Sequence, residues 1–478
     1  MCVLIEEDEA NIKRDKKVII MPRCIVKFPD TFPEVDPHQD MNTKRYTIQV
    51  ITPIFGGGSK AGESDIITPI RPSSIRGHLR FWWRATCGAR FEKVAQLFDR
   101  EGEIWGTSDS PSPVTIKVSQ PDIGSIGQRK ASDFYGFPSK YGPESYVLFP
   151  ARDKGSPLIK EGFTFQLEMS WPIHEKLQHL RDQENASLRK ENKPQKAEKI
   201  DDIGPDIKAA IWAWTNFGGI GSRTRRGCGA LFCHETAPTD TASIGKWYRD
   251  HLLTCGLDQQ QQRAWPTLPA NILIGSADGK PIDRWAEVIE VMRAFRQGAG
   301  IGRNPGSSDR PRMPGRSRWP EPEAIRKFSK SRLPRHQRLI GIPDDAFPRA
   351  EFGLPIVFHF KDGQEKDDRN GELRDPPESE LCPTGSMRMA SPIILRPMGF
   401  GDGRKGVPLI MRLNMEPLLR VELKVKGKTI HAAGQDGIRN PALAKYRGSP
   451  MSGLTSTGSA LEAFVNFAKD NKFKEVGI

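Results

Sequence analysis

The sequence predicts an α+β protein made of two tandem ferredoxin-like domains with glycine-rich loops and insertions. Its 478 residues are too many for one compact core. Strand and helix patterns follow one another in the split βαβ order of strand, helix, strands, helix, strand. A similar outline recurs later, where a helix again ends in a glycine run. We therefore expect an N-terminal extension (1–40), a first domain (41–235) and a second, diverged domain (236–478).

The first domain is predicted to begin with a strand at Tyr46–Ile51, where apolar and polar residues alternate. A glycine loop follows at Phe55–Ser59, and then a helix that opens at Ser73 or Ser74, with serine as N-cap after Pro72. The polar stretch Asp182–Asp202 is interpreted as a solvated insertion. The remaining predicted elements are strands at Val114–Val118, Tyr146–Phe149 and Phe163–Glu168, a helix at Ile207–Phe217 and a strand at Ala230–His234.

The second domain repeats these features less clearly. A helix is predicted at Ala286–Gln297, and its glycine run parallels Gly218–Gly221. A strand at Gly353–Phe360 precedes a hydrophilic insertion at Lys361–Glu380. The run Met389–Pro397 echoes Ile-Thr-Pro-Ile sequences of the first domain, and a helix is predicted at Ser459–Lys469.

The charge of the chain favours a polyanionic partner. Its 72 Lys and Arg residues exceed its 59 Asp and Glu residues, which gives a net charge of +13. Binding of a nucleic acid by such a surface releases counterions from the phosphates, although a merely basic soluble protein has the same charge. No apolar run reaches the ~18 residues of a membrane span. The seven cysteines include no C-x-x-C pair, so we expect a cytoplasmic protein without a zinc ribbon.

The first basic constellation lies in the sequence Arg71–Arg84. On a helix, Ile75, Leu79 and Trp82 form a stripe that faces the core. Arg76, Arg80 and Arg84 share the neighbouring face, and Trp83 lies beside them, where it could stack on a base or cover the arginine stems. No acidic residue lies between Arg71 and Phe91, so helical salt bridges do not account for this row. A solvated basic face is the alternative.

The second constellation is the glycine–arginine loop, Gly218–Gly229. It holds five glycines and three arginines in twelve residues, which suits close approach of a phosphate chain. The loop follows a helix and enters a strand, so it is not a dinucleotide-binding fingerprint. A plain helix cap explains Gly218 but not Arg223, Arg225 and Arg226 together. Farther on, Gly298–Arg338 has eleven basic and three acidic residues, and either extends a basic groove or forms a surface loop.

No catalytic residue, metal ligand or cofactor is predicted. His78 could act as a general base, but no acid–base partner is visible near it in the sequence. No carboxylate cluster has the spacing of a two-metal site.

Three segments resemble the RAMP superfamily, the repeat-associated RNA-binding proteins of CRISPR systems. They are Thr52–Gly58, Ile70–Arg84 and Gly218–Gly229. The resemblance is greatest to the first RAMP subunit of the type III-B (Cmr) effector complex. It implies tandem ferredoxin-like, RRM-like domains and a non-catalytic subunit that holds the 3′ region of the guide RNA and aids capture of target RNA. Other Cmr-type subunits are the implied protein partners, and no membrane partner is expected.

The predicted RNA-binding residues come from the two constellations. They are Arg71, Ser74, Arg76, His78, Arg80, Trp83, Arg84, Gly219, Gly221, Arg223, Arg225 and Arg226. Two other functions stay open from the sequence. One is a metal-independent endoribonuclease that processes guide-RNA precursors, with His78 as its base, and the other is a scaffold that binds only proteins.

Overall fold

Antiparallel sheets and the helices packed on them make up the described part of the chain. The structure is a computed structural model and describes residues 40–59, 62–119, 126–130, 133, 142–154, 157–257, 262–306, 315–332, 343–360 and 375–477. The predicted extension 1–40 lies outside these residues except for Asp40, and so do residues 361–374 of the predicted insertion. No helix among the described residues is long and apolar enough to cross a membrane.

The described strands are, in chain order, β1 (Met41–Val50), β2 (Thr115–Ser119), β3 (Gln128–Arg129), β4 (Leu158–Ile159), β5 (Thr164–Pro172), β6 (Leu231–Cys233), β7 (Asn271–Gly275), β8 (Ile356–Phe358), β9 (Ser379–Pro383), β10 (Ile393–Phe400), β11 (Lys405–Arg412), β12 (Val421–Val425), β13 (Lys428–Ala433) and β14 (Phe473–Gly477). The described helices are α1 (Pro72–Ala85), α2 (Val94–Trp105), α3 (Ser145–Lys154), α4 (His174–Lys190), α5 (Gly204–Phe217), α6 (Ile244–Thr254), α7 (Pro281–Gln297), α8 (Glu321–Ser329), α9 (Gln435–Ile438), α10 (Ala442–Lys445) and α11 (Ala460–Asp470).

The first sheet has the strand order β2-β5-β1-β6, with antiparallel neighbours. Alternation places Tyr46, Ile48 and Val50 of β1 in the core, whereas Arg45 and Thr47 face solvent. Along β1, one face of the sheet is therefore buried and the other is polar and exposed, whereas all three residues of β6 are buried. The helices α1 and α5 pack side by side within the same core cluster, as the predicted stripe of α1 requires.

The second sheet has the order β10-β11-β7-β14, again with antiparallel neighbours. The helix α7 packs on β10 and β11, and α11 contacts both α7 and β14. All eight residues of β10 are buried, because this strand contacts α5 and β6 of the first half as well as α7. A third antiparallel sheet, β13-β12-β9-β8, shares a smaller core with α8.

Several sequence-based boundaries need correction. The helix α1 begins at Pro72 with Arg71 as N-cap, so no serine caps it. Tyr146–Phe149, predicted as a strand, lies in α3. The polar stretch predicted as an insertion from Asp182 is helical as far as Lys190, within α4. This last helix packs against β5 through a narrow apolar contact at Leu177, which a count of polar residues overlooks.

Candidate nucleic-acid interface

A cavity of about 100 Å³ lies between the two glycine-rich loops and the start of α1. It brings together four of the predicted residues, which are Arg71, Ser74, His78 and Gly221. Gly56, Gly57 and Asp65 also line it. The two sequence segments that are rich in glycine and arginine thus meet at this cavity. Arg71 and Gly221, which both line it, are 150 residues apart along the chain.

The wall formed by the glycine loops depends on close backbone contact. The amide of Ser222 donates to the carbonyl of Phe55 over 2.6 Å. Gly221 has a φ of +85°, and a Cβ on it would lie 2.7 Å from Cγ2 of Ile54 and 2.8 Å from the Phe55 carbonyl oxygen. Only glycine therefore fits this position. Gly219, in contrast, is buried, pairs with Ala230 in an antiparallel bridge and is not among the residues that line the cavity.

The start of α1 supplies donors to the same cavity. The first amides of a helix have no partner within it, and the first turn of α1 contains no acidic residue. The positive end of the helix dipole also favours an anion here. Arg71 donates to the carboxylate of Asp65 over 2.8 Å and to the carbonyl of Gly57 over 2.9 Å. Hydrogen bonds from Thr68, and then from Arg71, hold the pKa of Asp65 well below its usual range.

His78 lies on the inner side of this cavity. Its ring is stacked on Trp214, with 6.2 Å between centroids and 13° between planes. Burial lowers the pKa of His78, so the imidazole is neutral at pH 7. A neutral ring offers one donor and one acceptor to a bound group.

The arginine row of α1 is held by neighbouring protein groups, contrary to the sequence-based argument. Arg80 and Arg84 both donate to Oε1 of Glu101 in α2, each over 2.6 Å. Arg76 donates to Ser112 over 2.7 Å and to the carbonyl of Val114 over 2.9 Å. The absence of an acidic residue within α1 was a correct observation, but the pairing carboxylate comes from another helix.

Trp83 does not belong to an exposed face. Its side chain is fully buried, and Nε1 donates to Oδ1 of Asp206 over 2.8 Å. The prediction that this ring stacks on a base is wrong, because a fully buried ring presents no face to a ligand. The core-facing stripe of α1 is wider than the sequence indicated and includes Trp83 with Trp82.

Two arginines of the glycine–arginine loop connect the halves of the chain. Arg225 donates to the carbonyl of Ser391, and Arg226 donates to the Ile393 carbonyl over 2.8 Å and to Oγ of Ser391 over 3.0 Å. Burial lowers the pKa of both arginines to about 10, so they remain charged at neutral pH. Their expected place on an RNA-binding surface needs correction, since these guanidinium groups dock on the segment that leads into β10.

Arg396 of β10 makes the reciprocal contact and was missed in the sequence. It is fully buried and donates to the carbonyls of Gly218 over 2.5 Å and of Leu231 over 2.6 Å. A third bond, of 3.3 Å, reaches the Thr215 carbonyl near the C-terminus of α5. A cation suits this end of a helix. The feature of the sequence that could have indicated this contact is an arginine inside an otherwise apolar strand.

Arg223 differs from its neighbours in the loop. Its backbone has a φ of +59°, and its guanidinium lies 5.2 Å from the ring centroid of Phe149 in α3. Among the described residues, the side chain of Arg223 contacts Phe149 through this cation–π interaction. Phe149 is 52% exposed and was also missed, because its run was interpreted as a strand. An exposed aromatic next to an available arginine is typical of single-strand binding.

The basic segment Gly298–Arg338 pairs largely with itself in its described part. Arg316, Arg326 and Arg332 all contact the carboxylate of Glu323. Glu323 and Arg326 are both buried, so this pairing lies inside the protein and not along an open groove. Among the described residues, no group of three or more His, Cys, Asp or Glu side chains could hold a metal ion.

Comparison with known proteins shows what part of the chain is similar to. The model described as the RAMP superfamily matches residues 47–232. A curated protein of Pyrococcus furiosus, named CRISPR system Cmr subunit Cmr1-2, is 22% identical over 196 residues, which cover 39% of this chain and 92% of that protein. The crystal structure of Cmr1 from Pyrococcus furiosus in its apo form is similar, with 15% identity and a TM-score of 0.44 over 79% of this chain and 89% of that one. A cryo-EM structure of type III-B Cmr-beta bound to cognate target RNA contains a chain with 10% identity and a TM-score of 0.42, over 82% and 96% of the two chains. Over residues 47–232, the chain is therefore similar to the RAMP superfamily.

Proposed function

We propose that the chain is a non-catalytic RNA-binding subunit of a type III-B CRISPR effector complex. In this role it holds the 3′ region of the guide RNA and aids capture of the complementary target RNA. Its protein partners are the other Cmr-type subunits. The curated relative is named as a Cmr subunit, which supports the assignment to that complex.

The cavity between the glycine loops is the observation that carries the RNA-binding part. Backbone amides at the start of α1, the hydroxyl of Ser74, the neutral ring of His78 and the nearby Arg223 can all contact a sugar–phosphate chain. The open face of the first sheet lacks exposed aromatic residues on β1, so it does not form the stacking platform of an RRM. We therefore place the RNA along the loops and not across the sheet.

The proposed architecture is two ferredoxin-like domains in tandem, divided near residue 235. The strand orders β2-β5-β1-β6 and β10-β11-β7-β14 both correspond to the order 2-3-1-4 of a βαββαβ unit. On this proposal, the second domain has two insertions. One contains α8, β8 and β9 and lies between the first helix and the second strand of the domain. The other contains β12 and β13 and follows the third strand.

The test is the affinity and salt dependence of single-stranded RNA binding by the full chain. Replacing Arg223 with Ala removes one phosphate contact, so affinity should fall about tenfold and the salt slope by about 0.7. Fluorescence anisotropy with a labelled RNA, measured from ~50 to ~200 mM salt, gives both quantities.

Arg404→Ala is the matched control, because the Arg404 side chain is 89% exposed and contacts only Asp402 among the described residues. This variant should behave as the wild type does. Equal affinities and slopes for Arg223→Ala and the wild type would remove the cavity from the RNA path. Failure of the wild type to retain RNA at ~50 mM salt would instead favour the protein-only scaffold.

A metal-independent endoribonuclease remains the second candidate, and the position of His78 is the observation in its favour. The lowered pKa leaves its imidazole neutral and able to accept a proton from a ribose hydroxyl. Incubation of the full chain with labelled precursor RNA in EDTA separates the two functions. We expect intact RNA, whereas cleavage that disappears in His78→Ala would establish the nuclease.

A further inference from the structure

A second and larger cavity, of about 260 Å³, lies in the second half of the chain. Its volume is slightly below the ~300–1,000 Å³ that is typical of sites for small organic molecules. The wall consists of the end of β11, the segment before β10 and the start of α11. The residues that line it and matter for its chemistry are Gln262, Glu351, Met389, Arg412, Glu416 and Arg439.

Glu351 is fully engaged in holding this wall together. Its carboxylate accepts from Oγ of Ser459 over 2.8 Å, from the amide of Ala460 over 2.6 Å and from Nε of Arg439 over 2.8 Å. It therefore caps α11 and fixes Arg439 at the same time. The start of α11 is thus already neutralised and is not an open site for a bound anion.

Arg412, at the end of β11, is not held by the protein in this way. In the part of the chain that the structure describes, its guanidinium makes no hydrogen bond and no ion pair, although it lines the cavity and is half-buried. Burial lowers its pKa, and nearby Glu351 opposes this change. An arginine at this depth with unused donors is suited to an acceptor that enters from outside.

The remaining lining favours a neutral planar group over a phosphate. The charges of Arg412 and Arg439 are balanced by Glu351 and by Glu416, which is exposed at the rim. Met389, Pro392, Met415, Leu418 and Leu461 supply apolar surface, and Gln262 supplies an amide. Apolar faces together with hydrogen-bonding edges are the properties of a nucleobase.

The cavity is also linked to the glycine–arginine loop of the first half. Met389 and Pro392 line it, and Ser391 between them is the residue on which Arg225 and Arg226 dock. The predicted RNA-binding loop therefore ends against the wall of this cavity.

We propose that this cavity binds one base of a single-stranded RNA, splayed out from its neighbours, with Arg412 as its principal donor. The proposal rests on the RNA-binding function proposed above. Guanine is the expected preference, because a guanidinium donates to both its O6 and its N7, whereas adenine presents a donor beside N7.

The test uses the full chain and the soluble probes GMP, AMP and inorganic phosphate, with binding followed by titration calorimetry. GMP should bind the wild type about tenfold more tightly than AMP, and Arg412→Gln should lose this advantage. Arg412→Lys keeps the charge but not the planar fork, so it should bind GMP and AMP alike and guards against a folding defect in the first variant. Arg404→Gln, at an exposed position beside Asp402, is the control and should retain the wild-type preference.

Equal GMP binding by wild type and Arg412→Gln would overturn the proposal, and so would displacement of GMP by an equal concentration of inorganic phosphate. The same proteins are then titrated with single-stranded RNA. If Arg223→Ala weakens RNA binding but Arg412→Gln leaves GMP binding unchanged, the base site fails and the RNA-binding function stands. If the wild type binds GMP through Arg412 but retains no RNA, the RNA-binding function fails and the cavity is a nucleotide site of another kind.

Discussion

At the scale of the residue, burial decides which aromatic side chain is available to RNA. Trp83 lies between Arg80 and Arg84 in the sequence and Phe149 contacts Arg223 in the structure, but Trp83 is fully buried and Phe149 is 52% exposed. The indole of Trp83 is further committed to Asp206, which also receives Arg100 over 2.9 Å. We therefore infer that Trp83 stabilises the fold and that Phe149 contacts RNA.

Replacement of these two residues should give opposite results. Trp83→Phe removes a buried hydrogen bond and leaves a small cavity, so the free energy of unfolding should fall by about 2 kcal/mol. Its RNA affinity should stay within about twofold of the wild type at temperatures where it is folded. Phe149→Ala should weaken RNA binding by ~1–3 kcal/mol, as loss of a stacking ring does, with little change in stability. Urea unfolding and fluorescence anisotropy measure the two quantities, and a loss of RNA affinity in Trp83→Phe alone would reverse the assignment.

At the scale of the element, the sequence predicted the strands and helices whose periodicity is strong. The helices α1 and α5 and the outer strands β2 and β6 of the first sheet were placed within a few residues. The helix α3 was mistaken for a strand, since a run of four aromatic and branched residues fits either structure. The helix α2 was not foreseen, and with it the partner of the arginine row, Glu101, was missed. An ion pair between two helices cannot be predicted from the hydrophobic periodicity of either helix.

The contact between the two glycine loops can be tested at the same scale. Gly221→Ala combines a positive φ with a Cβ that meets Ile54 and Phe55, so it should cost about 2–4 kcal/mol of stability and weaken RNA binding. Gly427→Ala is the matched control, because Gly427 has a φ of +77° and no atom within 4 Å of a Cβ. It should cost only the ~1 kcal/mol of backbone strain and leave RNA binding unchanged. Equal effects of the two variants, measured by thermal unfolding and anisotropy, would show that the loops are not in obligatory contact.

At the scale of the whole molecule, arginines exchanged between the halves connect the two sheets. Arg225 and Arg226 reach the segment before β10, and Arg396 of β10 reaches back to the end of α5. The partners are 165 or more residues apart in the sequence. The sequence marked two of these arginines as unusual but could not indicate that their acceptors are carbonyls of the other half. For this reason the basic loop was assigned to RNA alone.

Removal of the central arginine should destabilise both halves together. Arg396→Met leaves buried carbonyl oxygens without a donor, and we expect a loss of about 3–5 kcal/mol in the free energy of unfolding. The midpoint of guanidinium chloride unfolding measures this loss, with the exposed Arg404→Met as control. An unchanged midpoint in Arg396→Met would mean that the contact between the halves contributes little.

The same contact has a consequence for synthesis of the chain. The Thr215 carbonyl and the Arg396 guanidinium are 181 residues apart. At ~5–20 residues per second, the arginine leaves the ribosome about 10–40 s after the helix end that it neutralises. During this interval the carbonyls of Thr215, Gly218 and Leu231 lack their final donor. We therefore expect the first half of the nascent protein to be more susceptible to proteases and to wrong pairing before β10 has been translated than after it.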